Sequence, residues 1–389
     1  MLSFTIAFII FLSLITFWHW QKRTHLARIQ NIPYRIHVNG IRGKSTVTRL
    51  IAGMLREAGY ETIAKTTGSA ARVIHEDGTE SPINRLGAPT IVEQMRIIAQ
   101  HTTEDTEALV IECMAVNPLY QNITQHQIVQ GNITVITNVR EDHQDVMGES
   151  LLEIADSLSN TIPEGGLLIT AEDRPELVER LRFNALANNS YFLQAKGDIV
   201  PDEAVADFDY LTFKENIAIG LKIARLLKIP EDVAIRGMQK SKPDIGAVHV
   251  KRRYVHGKEL IWAPLFAVND RESTIASVDA LQKYHRRDAI RIGILNNRLD
   301  RAARALQFAD IAAQDLQLDY FITFGAYESQ VTERMVGLGY PKERILNLGD
   351  SQNPSRDEIL TAVTNLIAGQ QGVLIGMVNI HTEQAELLM

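Results

Sequence analysis

The chain has 389 residues, of which 45% are hydrophobic and 22% are charged, so it has the composition of an ordinary globular protein with room for two or three domains. Its net charge of −7 gives no general basic footprint, and nucleic acid is therefore not an expected partner. The single cysteine, Cys113, excludes an internal disulfide and a metal site built from several cysteines.

The N-terminal segment from Met1 to Trp18 contains no charged side chain. As a helix rising about 1.5 Å per residue, it could cross most of a hydrocarbon layer of about 30 Å. A cleaved signal peptide would need a basic start and a small-residue cleavage site, and a buried core helix would not normally precede a basic cluster. We predict a transmembrane anchor over residues 1–20 and a basic linker over 21–33. The positive-inside rule then places the body of the protein in the cytoplasm.

A strand, a glycine-bearing turn and a helix are predicted next. Residues 34–38 read as a short strand, and from Lys44 the apolar residues recur at helical spacing until Gly59, a typical helix-ending glycine. The P-loop pattern is G-x-x-x-x-G-K-[ST]. Gly43, Lys44 and Ser45 fit its end, although Val38 stands at the position of the first glycine. The alternative is a chance match at a helix start, and the strand–turn–helix context favours the phosphate-binding turn.

Backbone N–H groups of such a turn, together with the helix N-terminus, bind phosphate. Lys44 would reach the β- and γ-phosphates of a nucleotide, and the Ser45 hydroxyl would ligate Mg²⁺. The predicted nucleotide-binding residues of this turn are Asn39, Gly40, Arg42, Gly43, Lys44, Ser45 and Thr46.

Two continuous apolar strands are each followed by a polar side chain. Residues 108–111 lead to Glu112, and residues 133–137 lead to Asn138. This pattern is typical of a parallel sheet with its site at the carboxyl edge. Further strands are predicted at 61–64 and 167–170, and a polar loop at 65–69 follows the first of them at the same edge. The stretch 138–145 is dense in metal-competent side chains, although a solvated acidic loop would look the same.

Elsewhere the pattern predicts helices over residues 89–100, 148–158 and 215–227, and a domain boundary near 242–246. Beyond the boundary we expect a second α/β unit. It would contain strands at 289–295, 320–324 and 372–378 and a helix within 298–316. The predicted domains are therefore an ATP-binding domain over 34–245 and a smaller, Rossmann-like domain over 246–389.

The N-terminal unit resembles the Mur ligase superfamily of ATP-dependent amide ligases. That superfamily's loop reads G-T-x-G-K-[ST], and residues 40–45 match it with Ile41 in place of threonine. Its strand-end metal glutamate corresponds to Glu112, and its T-N-x-x-x-D-H-x-D-x-x-G segment matches residues 137–148. The resemblance implies an α/β fold with a P-loop-containing, mostly parallel sheet and a smaller C-terminal α/β domain, to which the uncharged N-terminal stretch adds a transmembrane helix.

The resemblance also implies residue roles, with ATP and Mg²⁺ as cofactors. Asn138 and Asn216 would lie near the nucleotide, with Asn216 near the adenine. The implied catalytic residues are Lys44, Glu112 and His143, and the implied metal ligands are Ser45, Glu112 and His143.

Within the superfamily, the membrane segment together with the run HVNGIRGKSTVTRLIAGMLREAG resembles the ligase subunits of poly-γ-glutamate synthases. The implied activity is γ-carboxyl activation of glutamate as an acyl-phosphate, followed by amide formation. Implied partners are glutamate, poly-γ-glutamate, the membrane and other membrane subunits of the synthase, and an oligomer is possible. Two C-terminal motifs depart from the superfamily: residues 266–270 lack its histidine, and residues 297–301 match its D-R-D loop only loosely. Candidate substrate-binding residues are Arg72, Arg298, Asp300 and Arg301.

Two other functions stay open at this point. A membrane-anchored P-loop ATPase could couple hydrolysis to polymer assembly or export without forming bonds. A non-catalytic scaffold could have kept the fold. The stretch 138–145 favours the ligase, because an ATPase switch has no need of a second metal site there, and the intact Gly43-Lys44-Ser45 disfavours the scaffold.

Overall fold

The structure is a computed structural model that describes residues 2–67, 70–85, 87–244, 247–266, 268, 270–350, 354–367 and 371–379. The chain forms two compact units. The first comprises Met1–Phe208 and Thr212–Ile245, and the second comprises Asp209–Leu211 and Gly246–Met389. The functions assigned to the predicted domains stay predictions.

A single long helix, α1 (Leu2–Gln30), begins the chain. No glycine or proline interrupts the sequence before Pro33, so the helix continues through the segment predicted as a linker. The last part of that segment packs on the body: Ile29 and Ile32 are buried, and His25 Nε2 lies 2.8 Å from the carbonyl oxygen of Ile128. The end of α1 is therefore part of the N-terminal unit.

The N-terminal unit is built on an eight-stranded sheet in the order β4-β3-β2-β5-β1-β6-β7-β8. The six strands from β2 to β8 in this order are parallel, and β3 and β4 add an antiparallel hairpin at one edge. The strands are β1 (Tyr34–Asn39), β2 (Thr62–Thr66), β3 (Arg72–Ile74), β4 (Glu80–Pro82), β5 (Ala108–Glu112), β6 (Ile133–Ile136), β7 (Leu167–Thr170) and β8 (Tyr191–Gln194).

The strands β2, β5 and β6 are buried at every position, as is typical of a parallel sheet covered on both faces. A π-helix, Thr124–Val129, continues α4. The helices are α2 (Lys44–Glu57), α3 (Val92–His101), α4 (Pro118–Ile123), α5 (Gln144–Met147), α6 (Leu151–Ser159), α7 (Pro175–Ala187), α8 (Asp202–Ala206), α9 (Lys214–Leu226) and α10 (Glu231–Gln239).

The C-terminal unit has a six-stranded sheet in the order β13-β12-β11-β14-β10-β9, in which β9 alone is antiparallel to its neighbour. Trp262, Phe266 and Phe324 are among its buried core residues. The elements are β9 (Lys251–Val255), β10 (Lys258–Leu265), α11 (Arg271–Ala280), β11 (Ile290–Asn297), α12 (Ala302–Gln314), β12 (Tyr320–Gly325), α13 (Glu328–Gly337), β13 (Ile345–Asp350), α14 (Arg356–Leu366) and β14 (Gln371–Met377).

This architecture confirms the predicted fold class. Several element boundaries differ from the prediction, and two of them are informative. The helix predicted from residue 148 begins at Leu151, because Ser150 and Glu153 form a capping box there. Lys65 and Thr66 belong to β2 and not to the predicted polar loop, since both side chains are buried. Gly68 and Ser69 of that loop lie outside the described residues.

Candidate active site

The turn between β1 and α2 depends on two glycines. Gly40 has φ +121° and Gly43 has φ +80°, both in the region that disfavours L side chains. A Cβ atom on Gly40 would lie 2.1 Å from Thr137 Oγ1. The chain following β6 therefore packs directly against the turn and allows no side chain at this position.

The same β6 segment holds the turn through hydrogen bonds. The backbone N–H of Arg42 donates to Asn138 Oδ1 at 3.0 Å, and Asn138 Nδ2 donates to the carbonyl oxygen of Arg42, also at 3.0 Å. Thr137 Oγ1 donates to the same carbonyl oxygen at 2.7 Å. Asn138 thus lies beside the predicted nucleotide loop and shapes it.

Lys44 turns back over its own loop. Its Nζ donates to the carbonyl oxygens of Gly40 at 2.7 Å and Ile41 at 3.2 Å. Burial lowers the pKa of Lys44, and the nearby Glu112 carboxylate works in the opposite direction. The ammonium group is held where a phosphate oxygen could replace the loop carbonyls as its acceptor.

Glu112 connects the P-loop helix to the neighbouring strand end. Its Oε2 accepts a 2.8 Å hydrogen bond from the Ser45 hydroxyl and a 2.6 Å hydrogen bond from the backbone N–H of Thr67. Gln94 Nε2 supports the same residue by donating to its backbone carbonyl oxygen at 3.1 Å. The strand-end carboxylate predicted from the sequence thus contacts the hydroxyl of Ser45, which is the predicted Mg²⁺ ligand.

This pair fits a hard divalent cation. A hydroxyl oxygen and a carboxylate oxygen are the kind of ligands that Mg²⁺ takes alongside phosphate oxygens and water. In the described part of the chain, no group of three or more His, Cys, Asp or Glu side chains is placed to hold a metal. Ser45 and Glu112 would therefore need ligands from a bound nucleotide or solvent to complete the site.

The loop after β6 reaches the turn through an ion pair between Arg42 Nη2 and Asp142 Oδ2 at 3.2 Å. His143 has φ +50° and an exposed side chain, and its Nε2 lies 3.9 Å from Asp142 Oδ1. The metal and catalytic roles assigned to His143 stay predictions.

Glu172 supports this loop from beneath, a role that sequence reasoning missed. Its Oε2 accepts a 2.8 Å hydrogen bond from the backbone N–H of Val139, and its Oε1 accepts one of 2.7 Å from Arg174 Nε. Burial tends to raise the pKa of Glu172, but these hydrogen bonds outweigh it and leave the pKa lowered. Residues 170–173 resemble the superfamily's N-A-D-D segment, and that resemblance was the signal available from the sequence.

A buried ion triad was also missed. Lys65 Nζ lies 2.9 Å from Glu93 Oε1, and Arg85 Nε lies 2.6 Å from Glu93 Oε2. Burial alone would raise the pKa of Glu93, but hydrogen bonds from the two cations lower it to about 2. Lys65 lies in β2, and Arg85 precedes Glu93 by eight positions in the loop before α3, so no helix or strand spacing links the three residues.

The substrate candidates fall in both units. Arg72 in β3 lies opposite Thr66 of β2. The next residue, Thr67, donates its backbone N–H to Glu112. In the C-terminal unit, Arg298 and Asp300 form a two-bond pair at 2.9 Å, and Arg301 Nε lies 3.6 Å from the same aspartate. Of the other divergent motif, Ala267 and Asn269 lie outside the described residues.

The three remaining predicted nucleotide-binding residues lie in different surroundings. Asn39 has a buried amide that donates to Gln121 Oε1 at 2.8 Å, so its side chain is held in the core, and its nucleotide role stays a prediction. Thr46 is half-buried in the first turn of α2. Asn216 lies against the loop, since a Cβ atom on Gly43 would be 3.1 Å from its Oδ1.

Comparisons with known proteins agree with this geometry. The model of the Mur ligase middle domain matches residues 38–219, and that of the poly-gamma-glutamate synthase CapB C-terminal domain matches residues 250–389. The chain is 36% identical over 370 residues to the capsule biosynthesis protein CapB of Bacillus anthracis, covering 95% of this chain and 78% of that protein. It is also 36% identical over 363 residues to the PGA synthase CapB of Bacillus subtilis (strain 168), covering 93% and 91%.

Among solved structures, the fold is similar to a bifunctional folylpolyglutamate synthase/dihydrofolate synthase from Yersinia pestis complexed with AMPPNP and Mn ion. The TM-score is 0.66 at 16% identity, covering 95% of this chain and 91% of that one. The long matches to both CapB proteins and the C-terminal domain model identify the family. The chain belongs to the poly-gamma-glutamate synthase CapB family and carries a Mur ligase middle domain in its N-terminal unit.

Proposed function

We propose that this protein is an ATP-dependent, ADP-forming amide ligase that joins glutamate units through their γ-carboxyl groups into poly-γ-glutamate. The observation that carries the proposal is the 2.8 Å hydrogen bond between Ser45 on the P-loop helix and the strand-end carboxylate of Glu112. It puts the predicted phosphate loop and the predicted metal carboxylate in one place, in a chain whose family makes this polymer.

The reaction needs activation because joining a carboxylate to an amine in water is unfavourable. In the first step, an oxygen of the γ-carboxylate attacks the γ-phosphorus of ATP, and ADP leaves with the electrons of the broken P–O bond. In the second step, the amine of an incoming glutamate attacks the carbonyl carbon of the acyl-phosphate. Phosphate leaves, the amine loses a proton and the amide remains.

The turn and its lysine bind the phosphates in this scheme. Backbone N–H groups near Gly43 and the start of α2 face the anionic oxygens. Lys44 exchanges the carbonyl oxygens of Gly40 and Ile41 for oxygens of the transferring phosphoryl group, whose negative charge it offsets. Asn138 keeps the turn in shape through its two hydrogen bonds to Arg42.

Ser45 and Glu112 would hold a divalent metal, for which we propose Mg²⁺, and His143 is the further candidate ligand. When bound, the metal neutralises charge on the nucleotide phosphates. The similar fold from Yersinia pestis was determined with AMPPNP and a Mn ion, which supports a nucleotide and a divalent metal at this kind of site. Arg72 in β3, which β2 separates from the strand of Glu112, is our candidate for attracting the anionic glutamyl substrate.

We also propose that α1 attaches the protein to a membrane with the catalytic units in the cytoplasm. In the described chain, one helix is long and apolar enough to span a bilayer, and its apolar stretch is exposed. Lys22 and Arg23 follow that stretch, as the positive-inside rule requires for a cytoplasmic body. Other membrane subunits and self-association are part of this proposal.

The test measures phosphate release by the purified protein with ATP and Mg²⁺, with and without glutamate or a short γ-glutamyl acceptor. Mass spectrometry of the same reactions looks for a new γ-amide. We expect acceptor-dependent phosphate and a matching amide product. Acceptor-independent hydrolysis without an amide would instead support an ATPase that drives polymer assembly or export. If the isolated chain is silent, the assay is repeated in membranes that carry the whole synthase.

Lys44→Ala provides the matching variant. We expect it to lose ATP turnover and amide formation together, because one phosphoryl transfer drives both. Amide formation that continues after ATP turnover is lost would contradict the ligase proposal. Lys228→Ala, a substitution of a lysine just after α9, serves as the control for removing a lysine from the same unit.

A further inference from the structure

A cavity of about 460 Å³ lies in the N-terminal unit, along α2 and away from its first turn. Arg49 and Arg56 of α2, the β3–β4 turn at Gly78 and the residues after α10, including Lys240 and Lys242, line it. We call it the Arg49–Arg56 cavity. None of its lining residues belongs to the phosphate site described above.

Arg49 is buried and paired through one guanidinium nitrogen, while its other two guanidinium nitrogens have no hydrogen-bond acceptor among the described residues. Only 2% of the residue is exposed, and Nη1 is paired with Glu80. Nη2 lies 3.7 Å from Asp244 Oδ1, beyond hydrogen-bond distance, and neither Nε nor Nη2 has a hydrogen-bond acceptor among the described residues. A buried donor without an acceptor costs free energy, so it marks a place where a ligand would be stabilised.

Arg56 repeats this situation two helical turns further along α2. Its Nη1 is buried without a hydrogen-bond acceptor among the described residues. A Cβ atom on Gly78 would lie 3.6 Å from Arg56 Nε, so the glycine of the hairpin turn covers the guanidinium. Seven residues separate the two arginines, which places both on the same face of the helix, about 10 Å apart along its axis.

Four carboxylates line the cavity, and three of them, those of Glu57, Asp77 and Glu80, already accept hydrogen bonds; the fourth is that of Glu76. Glu57 accepts from Arg236 Nε at 2.7 Å and from Lys240 Nζ at 2.8 Å. Asp77 accepts from the backbone N–H and hydroxyl of Thr79. Among the buried lining atoms of the described chain, those left without a hydrogen bond are all guanidinium nitrogens. The cavity therefore has spare donors, and its ligand must supply acceptors.

We propose that the Arg49–Arg56 cavity binds a carboxylate group of glutamate or of a γ-glutamyl chain. Guanidinium groups bind carboxylates through two parallel hydrogen bonds, and this polymer carries a free carboxylate on every unit. Arg49 lies four residues after Ser45 on α2, about 6 Å along the helix axis, so a bound carboxylate would be close to the phosphate end. This inference rests on the proposed function only for the identity of the carboxylate.

The test titrates the full-length protein in detergent, without ATP and at constant ionic strength, and measures binding by calorimetry. The ligands are glutamate, a γ-linked triglutamate and inorganic phosphate. We expect the wild type to bind a carboxylate ligand and Arg56→Gln to bind it at least tenfold more weakly. Binding of free glutamate as well as triglutamate would identify the amino acid as sufficient, and binding of triglutamate alone would identify the chain.

The matched control is Arg225→Gln, which removes an exposed arginine of α9 that pairs with Glu231 outside the cavity. Arg56→Lys keeps the charge and removes the two-bond geometry, and it decides the matter if Arg56→Gln does not fold. The proposal is overturned if the wild type binds no carboxylate, if only phosphate binds, or if the Arg56 variants bind like Arg225→Gln.

The same variants separate this inference from the ligase proposal. In the amide-forming assay, we expect Arg56→Gln to raise the KM for the γ-glutamyl acceptor at least tenfold with an unchanged KM for ATP. Suppose that the wild type binds triglutamate but forms no amide, and that Arg56→Gln loses this binding. That result would contradict the ligase proposal and leave the cavity proposal standing. If Arg56→Gln forms the amide with an unchanged KM for the acceptor and binds triglutamate like the wild type, the cavity proposal is contradicted and the ligase proposal stands.

Discussion

The hydroxyl of Ser45 donates a 2.8 Å hydrogen bond to the carboxylate of Glu112, although 67 positions separate the two residues in the chain. Ser45 lies in the first turn of α2, and Glu112 is the last residue of β5. Because β1 and β5 are parallel neighbours, the turn after β1 and the end of β5 meet at one edge of the sheet. The contact joins the phosphate loop to a carboxylate that can share its metal.

Glu112→Gln tests this contact directly. The amide keeps the size of the side chain and can still accept from Ser45 and Thr67, but it removes the negative charge that a divalent cation needs. We expect amide formation to fall about a hundredfold or more, a loss comparable to removing one electrostatic catalytic group. Glu104→Gln, at an exposed position before β5, is the control. Equal rates for the two variants would contradict a metal role for Glu112.

Gly40→Ala should disable the phosphate loop. The backbone has φ +121°, and the new Cβ atom would lie 2.1 Å from Thr137 Oγ1, so the loop or the β6 segment must move. Strain of this kind costs about 1–3 kcal/mol before any loss of contacts. We expect nucleotide affinity, measured by calorimetry, to fall at least tenfold. Gly337→Ala, where a Cβ atom would meet nothing within 4 Å, should bind nucleotide like the wild type.

Glu172→Gln should loosen the loop that carries Asp142 and His143. The amide still has one acceptor oxygen but loses the charge that pairs with Arg174, leaving a half-buried guanidinium without its carboxylate. Breaking such a pair costs about 3 kcal/mol. We expect a lower thermal midpoint and a raised KM for ATP. Glu179→Gln, whose exposed carboxylate pairs with Arg182, should change neither quantity. An unchanged thermal midpoint and an unchanged KM for ATP in Glu172→Gln would argue against this support.

The stability of the N-terminal unit should fall in mild acid because of His37. Burial lowers the pKa of this histidine from 6.5 to about 4, against a hydrogen bond with Gln125 that favours the charged form. Between these two pH values the unfolded chain binds a proton that the folded chain does not, so stability decreases as the pH falls. The expected loss at pH 4.5 relative to pH 7 is about 2–3 kcal/mol.

The free energy of unfolding at each pH is measured by urea titration, with hydrogen exchange of the β1 amides as the readout. His37→Asn keeps an amide donor for Gln125 but does not titrate in this range, so we expect its stability to depend less on pH. The variant will be less stable at pH 7, because a smaller side chain leaves space in the core. Equal pH dependence in the variant and the wild type would assign the acid sensitivity to other groups.

The sequence by itself determined the parts of this protein that depend on neighbours in the chain. The strand, turn and helix around Lys44 follow from local periodicity and glycine placement. Glu112 and Asn138 were recognisable because a polar residue at the end of an apolar strand must lie at the sheet edge. The apolar character of α1 was equally visible, since it needs only a count of uncharged residues.

Only the tertiary structure decided what depends on contacts between distant segments. The buried amide of Asn39 donates to Gln121, which lies 82 positions away, and only the folded chain brings the two side chains together. Glu172 supports Val139 through packing that no local spacing encodes. The spacing of Arg49 and Arg56 puts both on one helix face, but only packing forms the cavity beside them. A buried polar group takes the partner that the whole fold brings near, so its role becomes visible only when the chain has folded.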